Sequence, residues 1–168
     1  MTSMGLIPIV QDLHAKTSKA KNLILLDRDG TLNNDLGYTY KLSDLKLLYN
    51  NIEIIKNLTD KKSSIVCITN QSGIGRGLFS ENDAKRFNFA LSEKLSKLDL
   101  MIESFYICPH SPILECACRK PKTLMLELAM KRYNVSTEKS IYVGDSIVDQ
   151  IASNQLGVKF IKVPKNEM

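Results

Sequence analysis

Apolar residues in this chain gather in short unbroken runs, separated by longer stretches where they recur every three or four positions. Leu23-Ile24-Leu25-Leu26 is one such run; it ends at Asp27 and is followed by a Gly turn. Its brevity and continuous apolarity predict a strand buried on both faces. Ile65-Val66-Cys67-Ile68, ending at Thr69, repeats the pattern, as do Ser104 to Ile107 and Ile141-Tyr142-Val143, the last ending at Gly144-Asp145. A final strand is predicted from Lys159 to Val163.

Helices are predicted between these strands. Ile52, Ile54, Ile55 and Leu58 fall largely on one face of a helix beginning near Asn50. Ser80 with Asp83 forms a capping pair for a helix through Phe87, Leu91, Leu95 and Leu98. Pro121 is placed at the first turn of a third helix through Leu124, Leu128 and Met130. Ser146 caps a fourth, which stops before Gly157. Alternating strands and helices predict an open, mostly parallel α/β sheet. In such sheets ligands bind beyond the carboxyl ends of the strands. Three of these ends carry Asp27, Thr69 and Asp145, and that convergence is the first functional signal.

Length and composition narrow the setting. At 168 residues the chain fits a single domain, and its 43% hydrophobic and 24% charged residues are those of a globular protein. Residues 1–21 are mostly polar and read as a loosely attached extension. No apolar run is long enough to span a bilayer, and a secretory signal is not evident, so a cytoplasmic protein with no membrane partner is expected. A net charge of +5 fits either a nucleic-acid surface or a protein whose ligand is a phosphate dianion. The cations are scattered and not interleaved with aromatics, which favours the phosphate and argues against a nucleic-acid partner. No apolar face is left unexplained, so a monomer is the default.

The strand ends supply the parts of phosphoryl transfer: an in-line nucleophile, a proton donor, and cationic groups for the equatorial oxygens. Asp27 supplies the first and Asp29, two residues on, the second. A close carboxylate pair calls for a hard, oxygen-preferring cation such as Mg²⁺, and Asp145 offers a further ligand from another strand end. Asp149, one helical turn further, is a possible support for that metal site, although a lone Asp on a helix is more often simply solvated. Thr69-Asn70-Gln71-Ser72-Gly73 carries hydroxyl, amide and backbone donors suited to phosphate oxygens. Lys120, beside Arg119, provides the cation.

Cys108-Pro109-His110 and Cys116-Ala117-Cys118 place three thiols and an imidazole within eleven residues. Reduced, buried thiols are one reading. The stretch has prolines, a polar turn and neither helical nor strand periodicity, which favours a closed Cys₃His zinc site with a structural role. Arg119 and Lys120 follow the last ligand directly, so a zinc-fixed loop would aim both cations at the site. Cys67, inside a strand, reads as an inert core thiol.

Asp27-Arg28-Asp29-Gly30-Thr31, Thr69, Lys120 and Gly144-Asp145 through Asp149 resemble the four ordered motifs of the haloacid dehalogenase superfamily. That resemblance implies a Rossmann-like three-layer fold and an aspartyl-phosphate intermediate on Asp27. It also implies Mg²⁺ held by Asp27, Asp145 and the backbone carbonyl of Asp29. The Cys-Pro-His…Cys-x-Cys-Arg-Lys-Pro segment from Cys108 to Pro121 is similar to that of a narrower, capless branch, the histidinol-phosphate and heptose-bisphosphate phosphatases. Asp35-Leu36-Gly37-Tyr38 and the loop from Thr69 to Gly77 look more like the heptose enzymes, whereas the short gap between His110 and Cys116 also occurs in the histidinol enzymes.

The resemblance thus implies a sugar-bisphosphate substrate, losing its 7-phosphate in the synthesis of activated heptose for lipopolysaccharide or other glycans. Thr69 and Lys120 would stabilise the phosphoryl group. Arg119 would hold the rest of the substrate, with Arg28, Asp35, Gly37, Tyr38, Asn70, Gln71 and Ser72 also expected among the substrate-binding residues. Rival expectations are a histidinol-phosphate phosphatase, an enzyme for nucleic-acid 3′-phosphate ends, and a zinc-stabilised binding module without catalysis. Retention of Asp27, Asp29, Lys120 and Asp145 argues against the last.

Overall fold

Residues 22–26 are apolar on both sides of the strand because both sides are covered. In the computed structural model, which describes residues 6–14 and 20–165, Leu23 and Leu25 join one core cluster while Ile24 and Leu26 join another on the opposite face. The chain runs β1 (Ile9–Asp12), β2 (Asn22–Leu26), α1 (Tyr49–Leu58), β3 (Ser63–Asn70), α2 (Ser72–Gly75), α3 (Glu81–Ser96) and β4 (Ser104–Cys108). It continues through α4 (Leu124–Tyr133), β5 (Ser140–Gly144), α5 (Ile147–Leu156) and β6 (Lys159–Lys162).

The strands form one sheet in the order β1-β4-β3-β2-β5-β6, parallel throughout except for β1. α4 and α5 pack their apolar residues on one face, and α1 and α3 on the other. This is the three-layer α/β arrangement anticipated from the alternating pattern. From β2 the chain steps to β3 and β4, then returns to β2's other side for β5 and β6. That reversal lies between β2 and β5, where an open α/β sheet leaves its ligand crevice. Asp27 follows β2 and Asp145 follows β5, so both carboxylates stand at its mouth. Among the described residues, only short 3₁₀ turns interrupt the loops that flank it, and no cap domain covers them.

The helix ends follow local chemistry. Ser80 and Asp83 close a reciprocal capping box at α3, and Ser146 and Asp149 do the same at α5. Gly157 ends α5 in the left-handed conformation that glycine adopts without Cβ strain.

Two local expectations need correction. Residues 1–21 are not simply a loose extension: Ile9–Asp12 pairs antiparallel with Tyr106 and its neighbours at the sheet edge, and Asp12 forms an ion pair with Arg132 at 2.8 Å. An edge strand covered on one side needs no continuous apolar run, which is why its pattern was weak. Residues 1–5 and 15–19 of that extension lie outside the described residues. Pro121 does not open α4, whose N-cap is Thr123. It lies in a turn closed by the Lys122 N–H on the Arg119 carbonyl at 2.9 Å, with a cis Lys120–Pro121 bond.

Candidate active site

Asp27 leaves β2 with its backbone still tied to the neighbouring strand, its N–H donating to the Val143 carbonyl at 2.9 Å. Lys120 reaches it from the loop beyond β4, with Nζ 2.6 Å from Asp27 Oδ1. The same ammonium donates to Asp149 Oδ1 at 2.7 Å, the Ile68 carbonyl at 3.0 Å and the Tyr142 hydroxyl at 3.0 Å. Tyr142 in turn donates to Asp149 at 2.8 Å. Lys120, Asp149 and Tyr142 are all buried, so this cation acts in a low dielectric and has little freedom to move.

The electrostatics follow from that burial. Burial works against an ionised Asp149, but the Lys120 ammonium and hydrogen bonds overcome it and hold the carboxyl below its usual range. Burial also disfavours charge on Lys120, yet Asp149 and Asp27 raise it well above the ordinary lysine value, so it is a fixed cation. Asp27 is pushed well up, chiefly by burial, and Asp145 is raised by burial and by the charge of Asp149, with Lys165 pulling it partly back. Asp27, Asp145 and Asp149 each offer a carboxylate oxygen within 4.8 Å of the others. Three carboxylates against one ammonium leave a deficit of two positive charges, and the donor set is all oxygen. That matches a hard divalent cation. Gly30 makes room for it: a Cβ there would stand 2.5 Å from Asp145 Oδ2.

Asp29 is held differently. Arg28 Nε contacts both its carboxylate oxygens at 3.1 Å, Arg28 Nη2 donates to Oδ2 at 2.8 Å, Asn33 Nδ2 to Oδ1 at 2.9 Å, and Gln71 Nε2 to Oδ2 at 2.8 Å. Gln71 also reaches Thr69 Oγ1 at 2.8 Å, linking the two strand ends. Arg28 therefore is not a substrate contact. It is fully buried, with Nη1 on Asn88, Nη2 also on the Thr39 carbonyl, and its guanidinium over the Phe87 ring. The alternation of side chains past β2 turns it away from the crevice that Asp27 and Asp29 face.

Asn70 is likewise spent internally: both ends of its amide pair with the backbone of Lys120, at 3.1 and 3.2 Å. Ser72 begins the short α2 helix, while Asp35, Gly37 and Tyr38 lie on the exposed rim. Arg119 is half-buried, and its Nη1 is buried without a hydrogen-bond partner. The rim loops are braced by Tyr40 and Phe79, whose rings stack 4.6 Å apart.

The cysteine cluster closes as the spacing predicts. Cys108 Sγ lies 3.5 Å from Cys116 Sγ and 3.6 Å from His110 Nδ1; Cys118 Sγ lies 3.2 Å from His110 Nδ1 and 3.6 Å from Cys116 Sγ. These sulfurs are too far apart for disulfides, and all three thiols are free. With Zn–S bonds near 2.3 Å, tetrahedral geometry puts sulfurs about 3.8 Å apart, so the cluster needs only slight expansion to take the ion. Hydrogen bonding from Cys118 holds the Cys108 thiol down at about 5, while Cys118 is pushed up by the same contact. The loop is tied to the site: Gln71 N–H donates to the Cys108 carbonyl at 2.8 Å and Gly75 N–H to the Pro109 carbonyl at 2.8 Å.

Residues 22–161 match the polynucleotide kinase 3 phosphatase family. The chain belongs to that family. Within it, the chain is 35% identical over 153 residues to a Thermoplasma acidophilum protein named as a probable D-glycero-D-manno-heptose-1,7-bisphosphate 7-phosphatase, covering 90% of this chain and 95% of that one. A Haemophilus ducreyi D-glycero-beta-D-manno-heptose-1,7-bisphosphate 7-phosphatase is 37% identical, covering 83% of this chain and 80% of the relative. The crystal structure of D,D-heptose 1,7-bisphosphate phosphatase from B. bronchiseptica, complexed with magnesium and phosphate, superposes with a TM-score of 0.76 at 33% identity. That match covers 83% of this chain and 78% of the other.

This member of the polynucleotide kinase 3 phosphatase family is accordingly a phosphatase of the haloacid dehalogenase superfamily, and the expected fold is the observed one. Its crevice opens into a pocket of about 290 Å³ lined by Gly30, Asn34, Asp35, Leu36, Lys46, Asp145 and Lys165. Sequence reasoning missed Tyr142, Asn88, Asn33, Lys46 and Lys165. For Tyr142 a signal existed, a hydroxyl inside an otherwise apolar strand. No helix among the described residues is long and apolar enough to cross a membrane.

Proposed function

We propose that the protein removes the 7-phosphate of D-glycero-D-manno-heptose 1,7-bisphosphate through a phosphoryl group carried on Asp27. The observation that carries this reading is the coincidence of an Asp27–Lys120–Asp145 crevice with relatives named for that activity, two of which the chain covers over 95% and 80% of their length.

Asp27, Asp145 and the backbone carbonyl of Asp29 would hold Mg²⁺, supplying positive charge to the phosphoryl oxygens and keeping Asp27 ionised despite its burial. Asp27 attacks phosphorus in line, forming an O–P bond as the sugar oxygen departs with its bonding electrons. Asp29 gives that oxygen its proton. It then removes a proton from water, whose oxygen attacks the phosphoryl-aspartate and releases inorganic phosphate with Asp27 regenerated. Both Asp29 oxygens accept hydrogen bonds, from Arg28, Asn33 and Gln71, which orient the carboxyl group beside Thr69. Lys120 and Thr69 steady the equatorial oxygens, with Lys120 kept charged by Asp149. Arg119 offers its unpartnered nitrogen to the rest of the substrate. Asp35, Gly37, Tyr38 and Ser72 line the sugar side. Zinc in the Cys108–His110–Cys116–Cys118 cluster would have no open position and serves to shape the loop.

Phosphate release should be compared for heptose 1,7-bisphosphate, histidinol phosphate and a 3′-phosphorylated oligonucleotide. The bisphosphate should give the highest kcat/KM, and a higher value for either rival would overturn the assignment. Asp27→Asn should keep the circular dichroism of the parent and lose turnover by roughly a thousandfold or more.

A further inference from the structure

We propose that Lys46 and Lys165 form the second-phosphate clamp of this enzyme, binding the phosphate that is not transferred. The inference rests on the bisphosphate reading above. A phosphate monoester brings about −1.5 to −2 charges near neutral pH, so a bisphosphate brings two such groups. The buried cluster has no net charge to spare for the second group: Asp27, Asp145 and Asp149 outweigh Lys120 by two charges, which one divalent cation brings to zero. The second phosphate needs cations of its own at the pocket wall.

The 290 Å³ pocket beside Asp145 contains two, Lys46 and Lys165. Neither ammonium has a salt-bridge partner among the described residues, although carboxylates pair with Lys56, Lys85 and Lys120 elsewhere. Both lysines stand on backbone that is fixed to the nucleophile loop. Asn34 N–H donates to the Lys46 carbonyl at 3.0 Å, and Lys46 N–H donates to Asn34 Oδ1 at 3.2 Å. On the other side buried Asn51 donates to the Pro164 carbonyl at 3.2 Å and to the Gly30 carbonyl at 3.4 Å, tying the segment that carries Lys165 to the loop after Asp27. Val163 N–H also donates to the Gly144 carbonyl at 3.0 Å, beside Asp145.

The sheet order separates this pair from Arg119. Arg119 arrives from the loop after β4, on the β3 side of the nucleophile, whereas Lys165 follows β6 on the β5 side. A compact sugar seated over Asp27 can present its second phosphate to the lysine side while Arg119 contacts the opposite flank. Asp35, on the same pocket wall, is left to accept hydrogen bonds from sugar hydroxyls, since a carboxylate beside a phosphate would repel it.

The test compares heptose 1,7-bisphosphate with heptose 7-phosphate for the parent, Lys46→Met/Lys165→Met and Lys46→Arg/Lys165→Arg. The methionine pair should cut the bisphosphate-over-monophosphate ratio of kcat/KM by roughly 10- to 100-fold, chiefly through KM, as expected for losing charge-assisted hydrogen bonds. The arginine pair should keep most of the ratio, because charge and donors remain. A parental preference that survives in a folded methionine double variant would overturn the clamp alone. A parent with no preference for the bisphosphate would overturn the substrate reading and the clamp with it.

Discussion

Lys120 Nζ lies 2.7 Å from Asp149 Oδ1, and both side chains are buried. Asp149 is thus a buried counterion of Lys120, a closer role than support of a metal from the helix surface. Removing one partner of a buried pair costs about 3–5 kcal/mol when the other charge is left uncompensated, and here Lys120 would keep Asp27 alone as its carboxylate partner. Asp149→Ala should lower the urea-unfolding free energy by an amount of that order and depress kcat more than it raises KM. Unaltered stability in the variant would show that Asp27 alone compensates Lys120 and that Asp149 is not needed as its counterion.

Arg28 should act on chemistry without touching substrate. Its guanidinium links Asp29 to the Thr39 carbonyl and to Asn88, so it sets both the proton-transfer group and the loop that bears Tyr38. Arg28→Lys is expected to lose about 10- to 100-fold in kcat, since a single ammonium cannot replace a planar fork of five donors. The pH–rate profile of the variant should shift with Asp29's altered environment; a profile and kcat like the parent's would remove Arg28 from this role.

Zinc should be needed for both folding and turnover. Freshly purified protein should contain about one zinc per chain, bound by the four ligands. Chelation that strips it should lower Tm and kcat together, because the loop that ends in Lys120 loses its anchor. Absence of zinc in the purified protein would undo the ligand assignment, and full activity after stripping would undo the link between the loop and Lys120.

Phe79 stacks on Tyr40 and lies against Gly73, where a Cβ would come within 2.1 Å of the ring. It braces the loop after β2 against the loop after β3. Phe79→Ala should cost about 3–5 kcal/mol in stability as a buried aromatic truncation. It should also raise KM several-fold while changing kcat less, measured in steady-state assays. A change in kcat alone would mean that the brace acts on Asp29 and not on the rim.

Much of the site was legible in the chain itself. Asp27, Thr69 and Asp145 stand where apolar strands end, and strand continuity is a local property that survives in the one-dimensional pattern. The Cys₃His cluster was also legible, because four such side chains within eleven residues can meet without help from distant segments. Arg28, Gln71 and Asn70 were less so. Each sits at or just past a strand end beside the crevice, yet their side chains satisfy groups across elements: Arg28 on Asn88, Gln71 on Asp29, Asn70 on the Lys120 backbone.

By itself the sequence determined the alternating α/β order, the carboxylates at the strand ends and the Cys₃His cluster, since each follows from neighbours in the chain. Only the tertiary structure decided that Arg28 points inward, that Ile9–Asp12 completes the sheet, and that Lys46 and Lys165 share a wall with Asp145. The first depends on which buried polar groups need partners, and the other two on which distant segments the assembled sheet brings side by side. A partner's identity across as many as 119 positions, from Lys46 to Lys165, leaves no trace in local periodicity.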